Sequence, residues 1–290
     1  MPVTITVGLD GTGHSVAAAD WAAHEAVRRG AALRLVYAWA WRAGDTSYVG
    51  DREAEERMVR AVLGDAESRV TAAHPSLDVS AELVVGDPVP TLVDEAARAR
   101  MLVLGSRGYG TLAGYLIGSV SLHVLRRTTR PVVMVRETHP DAPAPRPSGD
   151  VVVGVQDAET AGGPVLDFAF GAAAERGVPL RAVYAWEVPP VLMWSPGSMW
   201  VAEQQGGLEP VHRRILADAL KPWREKYPQV EVVEQVGAGP ASEVLLSRTE
   251  GAQLLVVGRR THEPGVRRLG SVTHAALHHA PCAVAVVPHA

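Results

Sequence analysis

Residues 33–39 read LRLVYAW, and residues 180–186 read LRAVYAW. Each run is apolar, short and rich in branched side chains, the pattern of a strand covered on both faces. Working outward, further pairs recur in the same order. Residues 3–10 (VTITVGLD) match 151–156 (VVVGVQ), and 101–107 (MLVLGSR) match 254–260 (LLVVGRR). Residues 116–120 (LIGSV) match 269–272 (LGSV), and 131–135 (PVVMV) match 281–287 (PCAVAVV). The offsets stay between about 146 and 153 residues, so the chain is one unit written twice. Between the copies, residues 138–150 read THPDAPAPRPSGD, with four prolines and no periodicity. Proline removes backbone donors and stiffens the chain, which marks a linker. The expected units are therefore residues 1–143 and 144–290.

In the first copy the strand-like runs are 5–9, 33–39, 79–85, 101–104 and 132–135. Helical patterns lie between them. Residues 15–29 place Val16, Ala19, Ala23, Ala26 and Val27 on one side, with Ser15 as the expected N-cap. Residues 53–73, 90–99 and 119–127 give three more helices, the third helix opening on a proline its first turn tolerates. The second copy repeats the plan with strands at 151–155, 180–186, 230–236, 254–257 and 283–287. Alternation of this kind is the mark of an α/β fold with parallel strands and right-handed crossovers. The expectation is two doubly wound open sheets, each of five parallel strands with helices on both faces.

Composition narrows the function. The 290 residues are 47% hydrophobic and 21% charged, as in ordinary globular proteins. Lys and Arg number 28 against 32 Asp and Glu, a net charge of -4, which leaves no basic footprint for nucleic acid. Cys282 is the single cysteine, so an intrachain disulfide and a Cys-rich zinc site are excluded. No apolar run is long enough for a membrane span, and residues 1–10 lack the pattern of a signal peptide. A cytoplasmic protein is expected.

In open α/β sheets, ligands bind beyond the carboxyl ends of the strands, where strand order reverses. Two segments of the first copy fall there: Gly8-Leu9-Asp10-Gly11-Thr12, and the long loop opening Gly105-Ser106-Arg107-Gly108 and closing Gly118-Ser119. Glycines let backbone amides approach a ligand closely. A helix N-terminus offers free N–H groups and a field that favours an anion. Gly118, Ser119 and Val120 can hold phosphate oxygens, with Gly105 and Gly108 as the opposite wall. Asp10 can accept a hydrogen bond from an exocyclic amine or a ribose hydroxyl. The plainer alternatives are that these glycines only mark a loop, that Ser119 is only a cap, and that Asp10 only stabilises its own turn. Neither a GxxxxGK[ST] phosphate loop nor a GxGxxG after the first strand is present.

These motifs resemble the universal stress protein family in its tandem form. The family's nucleotide-binding pattern G-x2-G-x9-G-[ST] is met by Gly105, Gly108, Gly118 and Ser119, and its opening strand motif by Val7, Gly8, Asp10, Gly11 and Thr12. Gly86-Asp87-Pro88 and Pro131-Val132-Val133 add to the likeness. The resemblance implies strand order 3-2-1-4-5 in each sheet. It places Asp10 and the backbone near Ala38 at the base, and Gly105, Arg107, Gly108, Gly118, Ser119 and Val120 around ribose and phosphates. It implies ATP as ligand, with Mg2+ accompanying the phosphates, and pairing through an edge strand at 132–135 or 284–287, within a chain or in a homodimer.

The second copy departs from the pattern. Gln156 stands where Asp10 does, with Asp157 beside it, and Thr261 replaces the second glycine after Gly258. Gly270 and Ser271 close a loop one residue shorter. Gln156, Gly258, Gly270 and Ser271 are the matching candidate positions. No catalytic constellation stands out: His14 follows the Asp10 loop, His123 lies in a helix, and His274 and His278 share a helix face without the acidic residue of HExxH. Cys282 reads as a small buried hydrophobe. Residues 189–207, with Trp194 and Trp200, read as a loop over the second crevice, a partner contact, or packing on their own domain. The expected function is ATP-binding regulation or sensing under stress, with slow hydrolysis as its chemistry. The alternative is a nucleotide-independent scaffold. A nucleotidyl-transferring enzyme lacks its expected lysine or histidine motif.

Overall fold

The computed structural model describes residues 3–40, 52–106, 118–136, 149–156, 163–187, 207–261 and 269–289. The chain divides into two compact units, residues 1–143 and 144–290. In the first unit the elements run β1 (Thr4–Leu9), α1 (Gly13–Arg29), β2 (Ala32–Trp39), α2 (Arg52–Ala73), β3 (Val79–Val85), α3 (Pro88–Arg98), β4 (Met101–Ser106), α4 (Ser119–Arg127) and β5 (Val132–Arg136). The second unit runs β6 (Val151–Val155), α5 (Gly163–Arg176), β7 (Leu180–Trp186), α6 (Glu209–Lys226), β8 (Val232–Ala238), α7 (Ala241–Leu246), β9 (Leu254–Arg260), α8 (Ser271–His279) and β10 (Ala283–His289).

The expectation of two separate five-stranded parallel sheets is overturned. The ten strands form one mixed sheet in the order β3-β2-β1-β4-β5-β10-β9-β6-β7-β8. The physical reason lies in β5 and β10. Val132, Val133, Val284 and Ala285 are at most 1% exposed, a burial unsuited to an open edge with unpaired N–H and C=O groups. Inside the first unit β1 pairs in parallel with β2 and β4, β2 with β3, and β4 with β5. Inside the second, β6 pairs in parallel with β7 and β9, β7 with β8, and β9 with β10.

The local chemistry of α1 explains its placement. Thr12, not Ser15, is the N-cap: its side chain accepts from the Ser15 amide, while the Ser15 hydroxyl donates to the Thr12 carbonyl at 2.8 Å. Gly30 ends the helix in the left-handed region (φ 56°), where glycine carries no Cβ penalty. The buried stripe is Ala18, Ala19, Ala22, Ala23 and Ala26, so the helix lies close on β1 and β4. Val27, expected on that side, is 49% exposed. In the second unit Phe170 of α5 stacks against Trp223 and Tyr227, and Asp167 accepts from the Tyr227 hydroxyl and Lys226, tying α5 to the end of α6. Among the described residues no helix is long and apolar enough to cross a membrane.

Candidate functional site

The first unit gathers its strand ends around one crevice of about 310 Å³. Gly8, Leu9, Asp10 and Thr12 enter from β1 and its turn, His14 and Ser15 from α1, and Tyr37 and Ala38 from β2. Leu104 and Gly105 come from β4, and Gly118, Ser119, Val120 and Ser121 from the start of α4. Pro88 and Leu92 of α3 complete the lining.

The turn after β1 is held by a short chain of hydrogen bonds. Asp10 Oδ1 accepts from the Thr12 amide at 3.0 Å and the Thr12 hydroxyl at 2.6 Å. Thr12 in turn caps α1. Gly11 sits at φ 77°, a conformation that favours glycine. Both bonds fall on one carboxylate oxygen, and Asp10 is exposed, so its second oxygen is available to an outside donor. Tyr37 lies near this carboxylate. Burial raises its phenol above the ordinary range, and the charges of Asp10 and Glu55 add to the effect, so the group stays a hydroxyl donor at neutral pH.

The opposite wall depends on close packing. A Cβ on Gly105 would lie 2.5 Å from the His14 carbonyl oxygen and 2.9 Å from the Ser15 nitrogen. Only glycine lets the first turn of α1 rest on the end of β4. The N-terminus of α4 faces the same crevice. Gly118 is its N-cap (φ -59°, ψ 146°) and no side chain caps it. Ser119 is therefore the first helical residue and not the cap. Its carbonyl accepts from His123 Nδ1 at 2.7 Å. Amides in the first turn have no intrahelical acceptor, so this end presents N–H groups to an anion.

Asp10, Ala38, Gly105, Gly118, Ser119 and Val120 thus meet at one place. Arg107 and Gly108 lie outside the described residues. Tyr37 and Leu92 were not singled out in the sequence. The signal for Tyr37 was present, since it directly precedes Ala38 at a strand end.

The second unit repeats part of this arrangement. Gly270 caps α8 with φ -64° and ψ 159°, close to Gly118, and again no side chain caps the helix. Gln156 is exposed after β6, whose neighbour β9 carries Gly258. The space beside Gly258 differs from that beside Gly105. A Cβ there would meet His289 Nε2 at 2.6 Å and Val165 Cγ2 at 3.2 Å, side chains where the first unit has helix backbone. Thr261 donates through its amide (2.7 Å) and its hydroxyl (2.8 Å) to the His289 carbonyl, so the residue replacing a glycine is tied to the end of β10. The strand end at β7 also has new company. Trp39 donates Nε1–H to Glu55 at 3.0 Å, whereas Trp186 stacks on His212 at 4.4 Å and 13°. Burial lowers the His212 imidazole below its ordinary range. Asp157, Trp194 and Trp200 lie outside the described residues.

The universal stress protein family model matches residues 1–136 and again residues 148–288. The chain belongs to the universal stress protein family. Universal stress protein Rv1996 of Mycobacterium tuberculosis is 33% identical over 98% of this chain and 95% of its own length. Universal stress protein Rv2005c of the same organism is 35% identical over 97% of this chain and 96% of its own. The crystal structure of a universal stress protein from Archaeoglobus fulgidus shares the fold, with a TM-score of 0.71, 17% identity and 98% of both chains covered. The tandem arrangement is thus shared across full-length relatives.

Magnesium was expected with the phosphates, and the donor set can be tested against it. Among the described residues no group of three His, Cys, Asp or Glu is placed to hold a metal. The crevice instead offers one carboxylate, Asp10, and the hydroxyls of Thr12, Ser119 and Ser121. Mg2+ commonly keeps several waters and binds through substrate phosphates, so with Asp10 on the base and ribose side the hydroxyls of Ser119 and Ser121 would hold an ion that arrives with its nucleotide.

Proposed function

We propose that the first unit binds ATP with Mg2+ and that the chain is a cytoplasmic, ATP-binding regulator of the stress response. One observation supports this most: the crevice joins the Asp10 turn, the end of β2 and the uncapped start of α4. Asp10 and the backbone at Ala38 take the base and ribose, with Tyr37 as a neighbouring donor. Gly105 leaves the wall flat, and the amides of Ser119, Val120 and Ser121 take phosphate oxygens. Arg107 and Gly108 complete the phosphate side. Bound ATP supplies the charge that orders Mg2+, while the protein positions and partly desolvates the phosphates. His14 is the one imidazole in the described lining, and slow hydrolysis is the chemistry that accompanies binding. In the second unit Gln156, Gly258, Gly270 and Ser271 form the corresponding candidate set, with a neutral amide in place of the carboxylate. The working assembly is a homodimer.

Native mass spectrometry of the gently purified chain, with and without Mg-ATP, tests the reading. One or two nucleotides per chain, diminished in Asp10→Ala and Gly118→Val, is the expected result. The same spectra count chains per particle. A folded chain that takes no nucleotide at millimolar ATP would move the function to a nucleotide-independent scaffold.

A further inference from the structure

The nucleotide reading does not use the histidines of α8. Residues 274–278 read HAALH, and the spacing of four places both imidazoles on one face. Ala276 and Leu277 are 1% and 2% exposed, so the helix between them is anchored in the core. The His274 and His278 ring centres are 4.3 Å apart and tilted by 33°. We propose that α8 carries a two-histidine site for a divalent transition metal of the Cu(II)–Ni(II) class, completed by water.

Simple geometry supports that class. An imidazole nitrogen binds such an ion at about 2.0–2.1 Å, which puts the metal roughly 3.2 Å from the ring centre. Two centres 4.3 Å apart then subtend about 85° at a shared ion. That is the cis angle of a tetragonal or octahedral site, and it is narrower than the tetrahedral angle zinc prefers. Rotation about χ2, which is broad for histidine, turns one nitrogen of each ring to the common point. Ligating histidine commonly uses its second nitrogen for an outer hydrogen bond. His278 and His279 lie in the last turn of α8, where the helix field favours positive charge. Among the described residues no third His, Cys, Asp or Glu joins the pair. The missing acidic residue of HExxH makes this a binding site and not a hydrolytic one.

The His24–His74 pair is a useful contrast. His24 and His74 meet at 4.8 Å and 83°, edge to face, and His24 Nδ1 donates to the Asp20 carbonyl at 2.8 Å. His24 Nδ1 is thus committed to backbone and the two rings stand nearly perpendicular, unlike the pair on α8.

The test is titration of the full-length chain with Cu(II), Ni(II) and Zn(II) against a weak competing chelator, with the Cu(II) form examined by electron paramagnetic resonance. The expected affinity order has Cu(II) above Ni(II) and Zn(II). The expected spectrum shows two nitrogen ligands at one copper. His274→Ala and His278→Ala should each weaken Cu(II) binding at least about tenfold and leave one nitrogen or none, while circular dichroism stays that of the parent. His24→Ala should change neither affinity nor spectrum. Unchanged affinity and an unchanged two-nitrogen spectrum in His278→Ala would overturn the proposal, as would loss of the signal in His24→Ala alone.

Discussion

Gly105 and Gly258 hold the same place in the two repeats, yet alanine at each should have different consequences. At Gly105 the new methyl would lie 2.5 Å and 2.6 Å from the carbonyl oxygen and carbon of His14, and 2.9 Å from the Ser15 nitrogen. These are backbone atoms of a helix whose alanine stripe is packed on the sheet, so no side-chain rotation relieves the contact. The first turn of α1 must retreat by about 1 Å to restore ordinary contact distances. Overpacking of this kind costs about 1–3 kcal/mol, and backbone obstacles place Gly105→Ala toward the upper end. At Gly258 the obstacle is the ring of His289, at 2.6 Å and 2.9 Å. The obstacle is the far end of a side chain and not helix backbone, so Gly258→Ala should cost less than Gly105→Ala, toward the lower end of that range at about 1 kcal/mol. Gly118→Ala is the control, with open space around it and φ -59°. Urea unfolding of the full-length variants, followed by fluorescence and circular dichroism, measures the difference. Because His14 and Ser15 line the crevice, Gly105→Ala should also weaken nucleotide binding. A Gly105→Ala protein within about 0.5 kcal/mol of the parent, a typical surface-substitution effect, would refute the packing argument.

Three further outcomes are expected. Glu55→Ala should cost about 1–2 kcal/mol in urea, because Trp39 is 3% exposed and loses the acceptor of its Nε1–H, and Glu55→Gln should recover most of it. Tyr37 has a raised folded pKa, so its contribution is complete below the unfolded value of about 10 and is lost as pH rises through the folded value. Asp10→Asn should bring its ionisation down, seen as an earlier absorbance change near 295 nm against a Tyr37→Phe reference. His212 has a lowered folded pKa, so its contribution is present above about 6.5 and disappears as pH falls through the folded value. His212→Phe keeps the stack on Trp186 and should flatten the acid limb of a stability–pH profile relative to the parent.

Much of the fold was readable because burial on both faces leaves long apolar runs, and duplication prints each run twice. The boundaries that moved did so for local reasons. Thr12 took the cap from Ser15 because the Asp10 turn fixes its hydroxyl near the helix start. β9 ran on to Arg260 because β10 continues beside it as far as His289. The single sheet was not readable from periodicity, which places each strand within its own repeat and says nothing of which strands pair; only the resemblance raised pairing through the last strands, within a chain or between chains. In the site, Asp10, Gly105, Gly118 and Ser119 were legible from spacing. The different neighbours of Gly258 were not, because His289 is 31 residues away in sequence, and nothing in a motif records which side chain fills the space beside a glycine.

The repeated LRxVYAW strand has a practical consequence. Duplication left the tryptophan in place and exchanged its neighbour, a carboxylate hydrogen bond at Trp39 and a stacked imidazole at Trp186. The two indoles therefore sit in different electronic surroundings while occupying equivalent positions. One is anchored by a charged acceptor, and the other lies against a ring that can gain a proton. Single-tryptophan versions of the protein would turn this difference into two optical probes, each reporting on its own half of the chain.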